Sequence, residues 1–183
     1  MSSQPISACR KTRPVVARLT RRDRARVLHH FVALSAEDRR TRFGSERNAE
    51  GLARYVNRID FERHCVLGAT AICGELVGIA HMPIDRRVGE LGVSVNPRGR
   101  RRGVGLALAT QALTEAQRAG AREFRFDYSA SNEAMRRIAV ALDMKLTRCG
   151  SEVSARLQLN DQRYPSLSRE VSTQPADRVA DAP

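Results

Sequence analysis

A chain of 183 residues, 42% hydrophobic and 28% charged, suffices for one domain with a substantial core and falls short of two full catalytic domains. Its 32 Lys plus Arg against 20 Asp plus Glu give a net charge of +12, which attracts phosphates, nucleotides and acidic proteins without specifying any of them. No run approaches the ~20 apolar residues of a membrane-spanning helix, the start lacks a signal-like apolar core, and no aromatic-interleaved basic platform accompanies the charge. Membrane insertion, secretion and a dedicated nucleic-acid function are therefore disfavoured, and a cytoplasmic location is expected.

Cys9, Cys65, Cys73 and Cys149 match no metal knuckle and no C-x-x-C pair, so they are expected as reduced thiols, the last three as small apolar fillers on strands. The four histidines offer no companion ligand set, and no metal site is expected. In the pair His29-His30, one is expected to pack and the other to face water; His81 is the better candidate for the acceptor side.

In chain order, residues 1–13 are polar and expected as a flexible arm, and Val15 to Leu19 as a first strand. Thr20 and Asp23 form a T-x-x-D box opening a helix with Ala25, Leu28, Phe31 and Val32 on one face. The run LSAEDRRTRFG repeats the device at Ser35 and Asp38 and ends at Gly44. A third helical segment, Ala49 to Ile59, groups Leu52, Tyr55, Val56 and Ile59. Cys65 to Ile84 reads as a hairpin turning at Gly74-Glu75, and Glu90 to Val95 as the next strand. A helix then runs to Gly120 with Leu106, Ala109, Leu113 and Ala116 on one face. Strand Glu123 to Tyr128, helix Asn132 to Leu142 and paired strands near Lys145 to Arg148 and Glu152 to Leu159 complete the pattern. Residues 160–183 are expected to be disordered. The order implies an α/β domain over residues 14–159, with a mixed sheet covered by helices.

The segment VSVNPRGRRRGVGLAL carries the chemical information. A strand ends at Val95, Asn96-Pro97 turns, and Arg100-Arg101-Arg102-Gly103-Val104-Gly105 runs into a helix. Amides at a helix start converge on an anion, the helix dipole favours negative charge there, and the glycines let the backbone approach it. Flanking arginines add charge-assisted bonds to phosphate oxygens. A Walker loop would need a Lys-Ser/Thr pair, and a dinucleotide fingerprint would need glycine where Leu108 stands.

VNPRGRRRGVG resembles the signature of the Gcn5-related N-acetyltransferase superfamily (GNAT), [Q/R]-x-x-G-x-[G/A], here Arg100, Gly103 and Gly105. SNEAMRRIAVALDM resembles a second family segment, with Asn132 opening its helix, and LSAEDRRTRFG is similar to the early helices of a bacterial subgroup related to protein lysine acetyltransferases. The resemblance implies a mixed, mostly antiparallel central sheet flanked by helices, and acetyl-CoA as cosubstrate. It further implies that Val93, Ser94 and Val95 line the pantetheine, that Arg100, Arg101, Arg102, Gly103, Val104, Gly105 and Leu106 hold the pyrophosphate, and that Asn132 contacts the pantetheine or orders its surroundings.

The activity so implied is acetyl transfer to a primary amine, of a small molecule or a protein lysine, by direct attack in a ternary complex. Backbone N–H at Val95 or its neighbours would polarise the thioester. Glu90 is the candidate base, with a strand-end ion pair as its bland alternative. The family's usual acid tyrosine corresponds to Ala139, which cannot protonate anything; Tyr128 is the candidate substitute, with core-edge packing as its alternative. A CoA-binding regulatory module and a nucleic-acid-associated acetyltransferase remain as competing readings. The hairpin edges and the last two strands lean towards a homodimer.

Overall fold

The computed structural model describes residues 15–72 and 74–159. The expected arm 1–13 and tail 160–183, together with Cys9 and Cys73, lie outside the described residues. Strand β1 (Val15–Arg18) leads to the Thr20 box, where the Asp23 carboxylate accepts the Thr20 N–H at 3.0 Å. A 3-10 turn, Arg21–Asp23, precedes α1 (Arg24–Val32). Ser35 accepts from the Asp38 N–H at 3.1 Å and starts α2 (Ala36–Phe43), which Gly44 ends at φ +71°. Asn48 accepts from the Gly51 N–H at 2.9 Å and starts α3 (Ala49–Asn57). Caps of this kind contribute about 1 kcal/mol each, enough to fix where short helices begin.

The buried face of α1 is Val27, His30 and Phe31; the expected Ala25 and Val32 are exposed. Packing against Leu52, Val56 and Ile79 selects which side of α1 is buried, and it takes the side with Val27 and Phe31. Of the expected thiol fillers, Cys65 is buried, and burial pushes its pKa up to about 11, whereas Cys149 is exposed at the sheet edge.

Strands β2 (Cys65–Thr70) and β3 (Leu76–Met82) form the expected hairpin. A short β4 (Ile84–Asp85), not foreseen, turns through Arg86 and Arg87, both at positive φ, into β5 (Val88–Glu90). The expected single strand from Glu90 to Val95 is divided at Leu91, and β6 (Gly92–Val95) joins another sheet. After α4 (Val104–Arg118) come β7 (Glu123–Ser129), α5 (Glu133–Ala141), β8 (Lys145–Cys149) and β9 (Glu152–Gln158). One sheet has the order β1-β2-β3-β6, all antiparallel; the other is β4-β5-β7-β9-β8, in which only β5 and β7 run parallel.

Helices cover both faces, as the mixed sheet requires. On one side α1 and α3 bury Val27, Phe31, Leu52 and Val56 against Val66 and Ile79. On the other, α4 and α5 join Phe124, Phe126 and Ala155 in a core spanning both sheets. The buried face of α4 is Val104, Leu108, Ala109, Ala112 and Ala116; the expected Leu106 points outward. Its alanines and Gly78 of β3 bring α4 close to the sheet. A Cβ on Gly78 would stand 2.7 Å from Val104 Cγ1 and 2.9 Å from Leu108 Cδ1.

Two buried histidines tie the α1–α3 layer to the sheet. His30 Nδ1 donates to the Leu76 carbonyl at 3.2 Å, which fixes its Nε2 as acceptor for the Ser94 hydroxyl at 2.9 Å. His81 Nδ1 lies 2.6 Å from the Tyr55 hydroxyl, and its Nε2 lies 3.0 Å from His64 Nδ1. Burial, with the Arg42 charge beside it, lowers the His81 pKa to about 3, so the ring is neutral.

Two stability measurements follow from this packing. Gly78→Ala should destabilise by about 1–3 kcal/mol through overpacking, lowering the melting temperature by roughly 3–10 °C; an unchanged melting temperature would show that α4 does not sit tightly on β3. The depressed His81 pKa means that the unfolded chain binds the extra proton between pH 6.5 and about 3. Stability is therefore lost as pH falls through that window, by about 2 kcal/mol at pH 5 for this group. Urea unfolding at pH 7 and pH 5 should show a smaller loss in His81→Gln than in the parent; equal losses would refute the neutral buried ring.

Candidate active site

The division at Leu91 creates the site. Leu91 donates its N–H to the Arg125 carbonyl at 2.8 Å, extending the parallel pairing of Val88, Gly89 and Glu90 with Glu123, Phe124 and Arg125. Beyond Leu91 the chain follows β3 instead, with Gly92, Val93, Ser94 and Val95 opposite His81, Ala80, Ile79 and Gly78. Among the described residues no strand fills the opening between β6 and Phe126–Ser129 of β7, so the two strands part as a V with its apex at Leu91.

Antiparallel alternation decides which amides face that opening. Asn96 donates to the Val77 carbonyl at 2.9 Å, continuing the β3–β6 ladder as a hydrogen-bonded pair. The hydrogen-bonded pairs are then Ser94–Ile79 and Gly92–His81, and the N–H and C=O groups of Val93 and Val95 point away from β3 into the V. Ser94, the third expected pantetheine residue, does not join them. Its backbone serves the ladder and its buried hydroxyl meets His30 on the α1 face.

At the open end of the V, Asn96 accepts from the Gly99 N–H at 3.1 Å and shapes the turn. The following loop holds Arg101 at φ +57° and Gly103 at φ +74°, left-handed conformations that turn successive amides towards one concavity. The first bond of the α4 ladder runs from Ala107 N–H to Gly103 O at 2.9 Å, leaving the N–H groups of Val104, Gly105 and Leu106 ahead of it without helical acceptors. A Cβ on Gly103 would meet nothing within 4 Å, so the space above the loop is open and the glycine is required by its φ. Gly105 also serves the packing of the helices. A Cβ there would stand 3.2 Å from Ile138 Cδ1, so this glycine lets α4 pack on α5.

The arginines of the loop divide. Arg101 and Arg102 are exposed and have no acidic partner among the described residues. Arg100 turns back, its Nε donating to the Val95 carbonyl at 3.3 Å and its terminal nitrogen pairing with Asp38 of α2. Asn132 caps α5, its side chain accepting from the Met135 N–H at 3.2 Å.

The two faces of the apex carry different side chains. Gly89 faces Ala116 of α4, so by alternation Glu90 lies on the opposite face. There its carboxylate, more than half exposed, pairs with Arg125 at 3.0 Å. Gly92 shares that face with Ser94 and lies directly against the Arg42 guanidinium. Tyr128 faces the α4–α5 core beside Phe126, ring centroids 6.0 Å apart, and burial raises its pKa and keeps the phenol protonated. Ala139 is fully buried in α5. Arg42 and Arg125 were not singled out from sequence, and Asp38 and Tyr55 were read only as a capping residue and a helix-face residue; in so arginine-rich a chain no single arginine stands out, and the R-F of LSAEDRRTRFG was the available signal.

A V-shaped opening lined by free strand amides and closed by a helix N-terminus with unpartnered amides fits a long polar thread ending in a pyrophosphate. The sequence profile described as the acetyltransferase (GNAT) family matches residues 29–142. The GNAT domain of Streptomyces lividans PAT is 21% identical, with a TM-score of 0.67 over 80% of this chain and 90% of that one. YncA of Salmonella typhimurium, solved with its cofactor acetyl-CoA, is 17% identical, with a TM-score of 0.64 over 85% of this chain and 99% of that one. A phosphinothricin acetyltransferase of Sinorhizobium meliloti, in complex with AcCoA, is 14% identical, with a TM-score of 0.66 over 81% and 89%. No curated protein matches the chain. These structural likenesses carry the fold, the profile spans more than half of the sequence, and the chain belongs to the acetyltransferase (GNAT) family.

Proposed function

We propose that this protein transfers an acetyl group from acetyl-CoA to a primary amine by direct attack in a ternary complex, within a catalytic unit spanning residues 14–159. Family membership makes it an acetyl-CoA-dependent N-acetyltransferase; the acceptor and the division of roles are this proposal. The observation that carries it is the V between β6 and β7, whose free Val93 and Val95 amides lead to the unpartnered amides of Val104, Gly105 and Leu106.

Those three amides, with Gly103 and the exposed Arg101 and Arg102, hold the pyrophosphate in this reading, which the positive φ at Arg101 and Gly103 supports. Arg100 joins them only by releasing Asp38. Val93 and Val95 receive the pantetheine as an added strand edge. Acetyl-CoA supplies the activated acyl group. The Val93 N–H, nearest the apex, polarises the carbonyl there. Glu90, on the α1–α3 face, accepts the proton shed by the attacking amine, directly or through water, while Arg125 fixes the orientation of its carboxylate. Tyr128, protonated on the opposite face, returns a proton to the departing sulfur. The amine nitrogen gains the acyl carbon, the carbon–sulfur bond breaks, and one proton moves from amine to carboxylate as another moves from phenol to sulfur.

The Glu90–Arg125 pair also favours a second reading, a CoA-binding regulatory module, because the ion pair engages the candidate base. A homodimer formed through β8, an edge strand exposed at every residue, accords with either. Thiol release from acetyl-CoA over a panel of small amines and lysine peptides separates the readings. Glu90→Gln should lower kcat/KM by roughly 10²–10⁴-fold with CoA affinity retained. Turnover unaffected by the change would reject Glu90 as base, and CoA binding without turnover across the panel would favour the regulatory module.

A further inference from the structure

The connection after α2 and the helix α3 form a cleft of about 550 Å³ lined by Arg47, Asn48, Arg54, Tyr55 and Arg58 among others. Its charge is unbalanced. Of the nearby acids, Glu46 pairs with Arg40 at 3.2 Å and Glu50 pairs with Arg54. Arg42, Arg47 and Arg58 have no carboxylate within 4.0 Å among the described residues.

Two of these guanidiniums are held in place by aromatic rings. Arg42 lies 4.9 Å from the Phe43 ring centroid and 5.9 Å from that of Tyr55, while Arg47 lies 5.3 Å and 5.5 Å from the same two. Phe43 and Tyr55 meet edge-on at 5.0 Å, so one aromatic pair fixes both cations. The Nε atoms of Arg42 and Arg47 are buried without a hydrogen-bond partner. Stacking positions a guanidinium without using its N–H donors, and the planar fork of a guanidinium matches a carboxylate.

Two side-chain contacts lead from the cleft to the reaction apex. Tyr55 lines the cleft and accepts from Arg42 at 3.1 Å, and Arg42 lies against Gly92, the first residue of β6. We propose that Arg42 and Arg47 bind a carboxylate carried by the acceptor, so that the amine presented at the apex belongs to an amino carboxylate. This inference rests on the acetyl-transfer reading of the neighbouring V. A free amino acid and a lysine flanked by acidic residues share that chemistry.

Acetylation of ω-amino carboxylates from glycine to 6-aminohexanoate, each against its amide, together with lysine peptides flanked by Glu or Gln, tests it. At least one acid should exceed its neutral counterpart by roughly ten- to a hundred-fold in kcat/KM, the range of a charge-assisted contact. That ratio should fall towards one in Arg47→Gln while CoA affinity persists. Arg42→Lys, which keeps the charge and loses the fork, should lower the ratio as well and guards against misfolding of a harsher change. Preference within the small series or within the peptides distinguishes the two sources. Calorimetric titration of the same acids and amides into the CoA-loaded protein reads the contact without turnover, so failure of transfer and failure of this site are separable. Equal handling of every acid and its neutral counterpart by the parent, in turnover and in binding, would overturn the proposal, as would an acid preference unchanged in both variants.

Discussion

The structure depends on one backbone segment serving two sheets. Up to Leu91 the chain pairs with β7; after it the chain pairs with β3. The apex is held by the Leu91 N–H bond to Arg125 and by burial of the Leu91 side chain in the core shared by both sheets. Opening the V leaves strand amides without partners, and an unsatisfied, desolvated amide costs about 1–3 kcal/mol. A ligand able to pair with Val93 and Val95 offsets that cost. Gly78, by admitting Val104 and Leu108, sets the N-terminus of α4 at the far end of the same opening. One tight packing contact thus aligns strand amides and helix amides.

Either side of the apex is served by a different layer. The α1–α3 layer brings Arg42 against Gly92 and shares its face with Glu90, whereas the α4–α5 layer encloses Tyr128. In the proposed reaction a proton leaves on one face and another arrives on the other. The neutral histidines belong to the first layer. His30 fixes Ser94 in β6, and His81 fixes Tyr55 between Arg42 and the sheet. Their place is structural support of that layer, so their neutrality is a condition of its shape.

Most elements were legible because their boundaries are chemical. The Thr20 and Ser35 caps, the Gly44 and Gly120 stops and the alternation in β9 each act through neighbours close in sequence. The Arg100 to Gly105 loop was legible for the same reason, and the family profile bears out the resemblance built on it. What escaped depends on distant partners. The division at Leu91 needs Arg125, the buried side of α1 is chosen by Leu52, Val56 and Ile79, and the Arg100 side chain is claimed by Asp38, 62 positions away. Arg42 and Arg47 could not be told from the other arginines until Phe43 and Tyr55 were seen to stack with both.

The central claim is that the free amides of the V are the cofactor's docking edge, and amide-resolved NMR of the protein with and without CoA tests it most directly. The account predicts that CoA slows hydrogen exchange and shifts the resonances at Val93, Val95, Val104, Gly105 and Leu106, with Ser94 exchange already slow in the free protein. CoA binding that leaves those five amides unperturbed while others respond would contradict it.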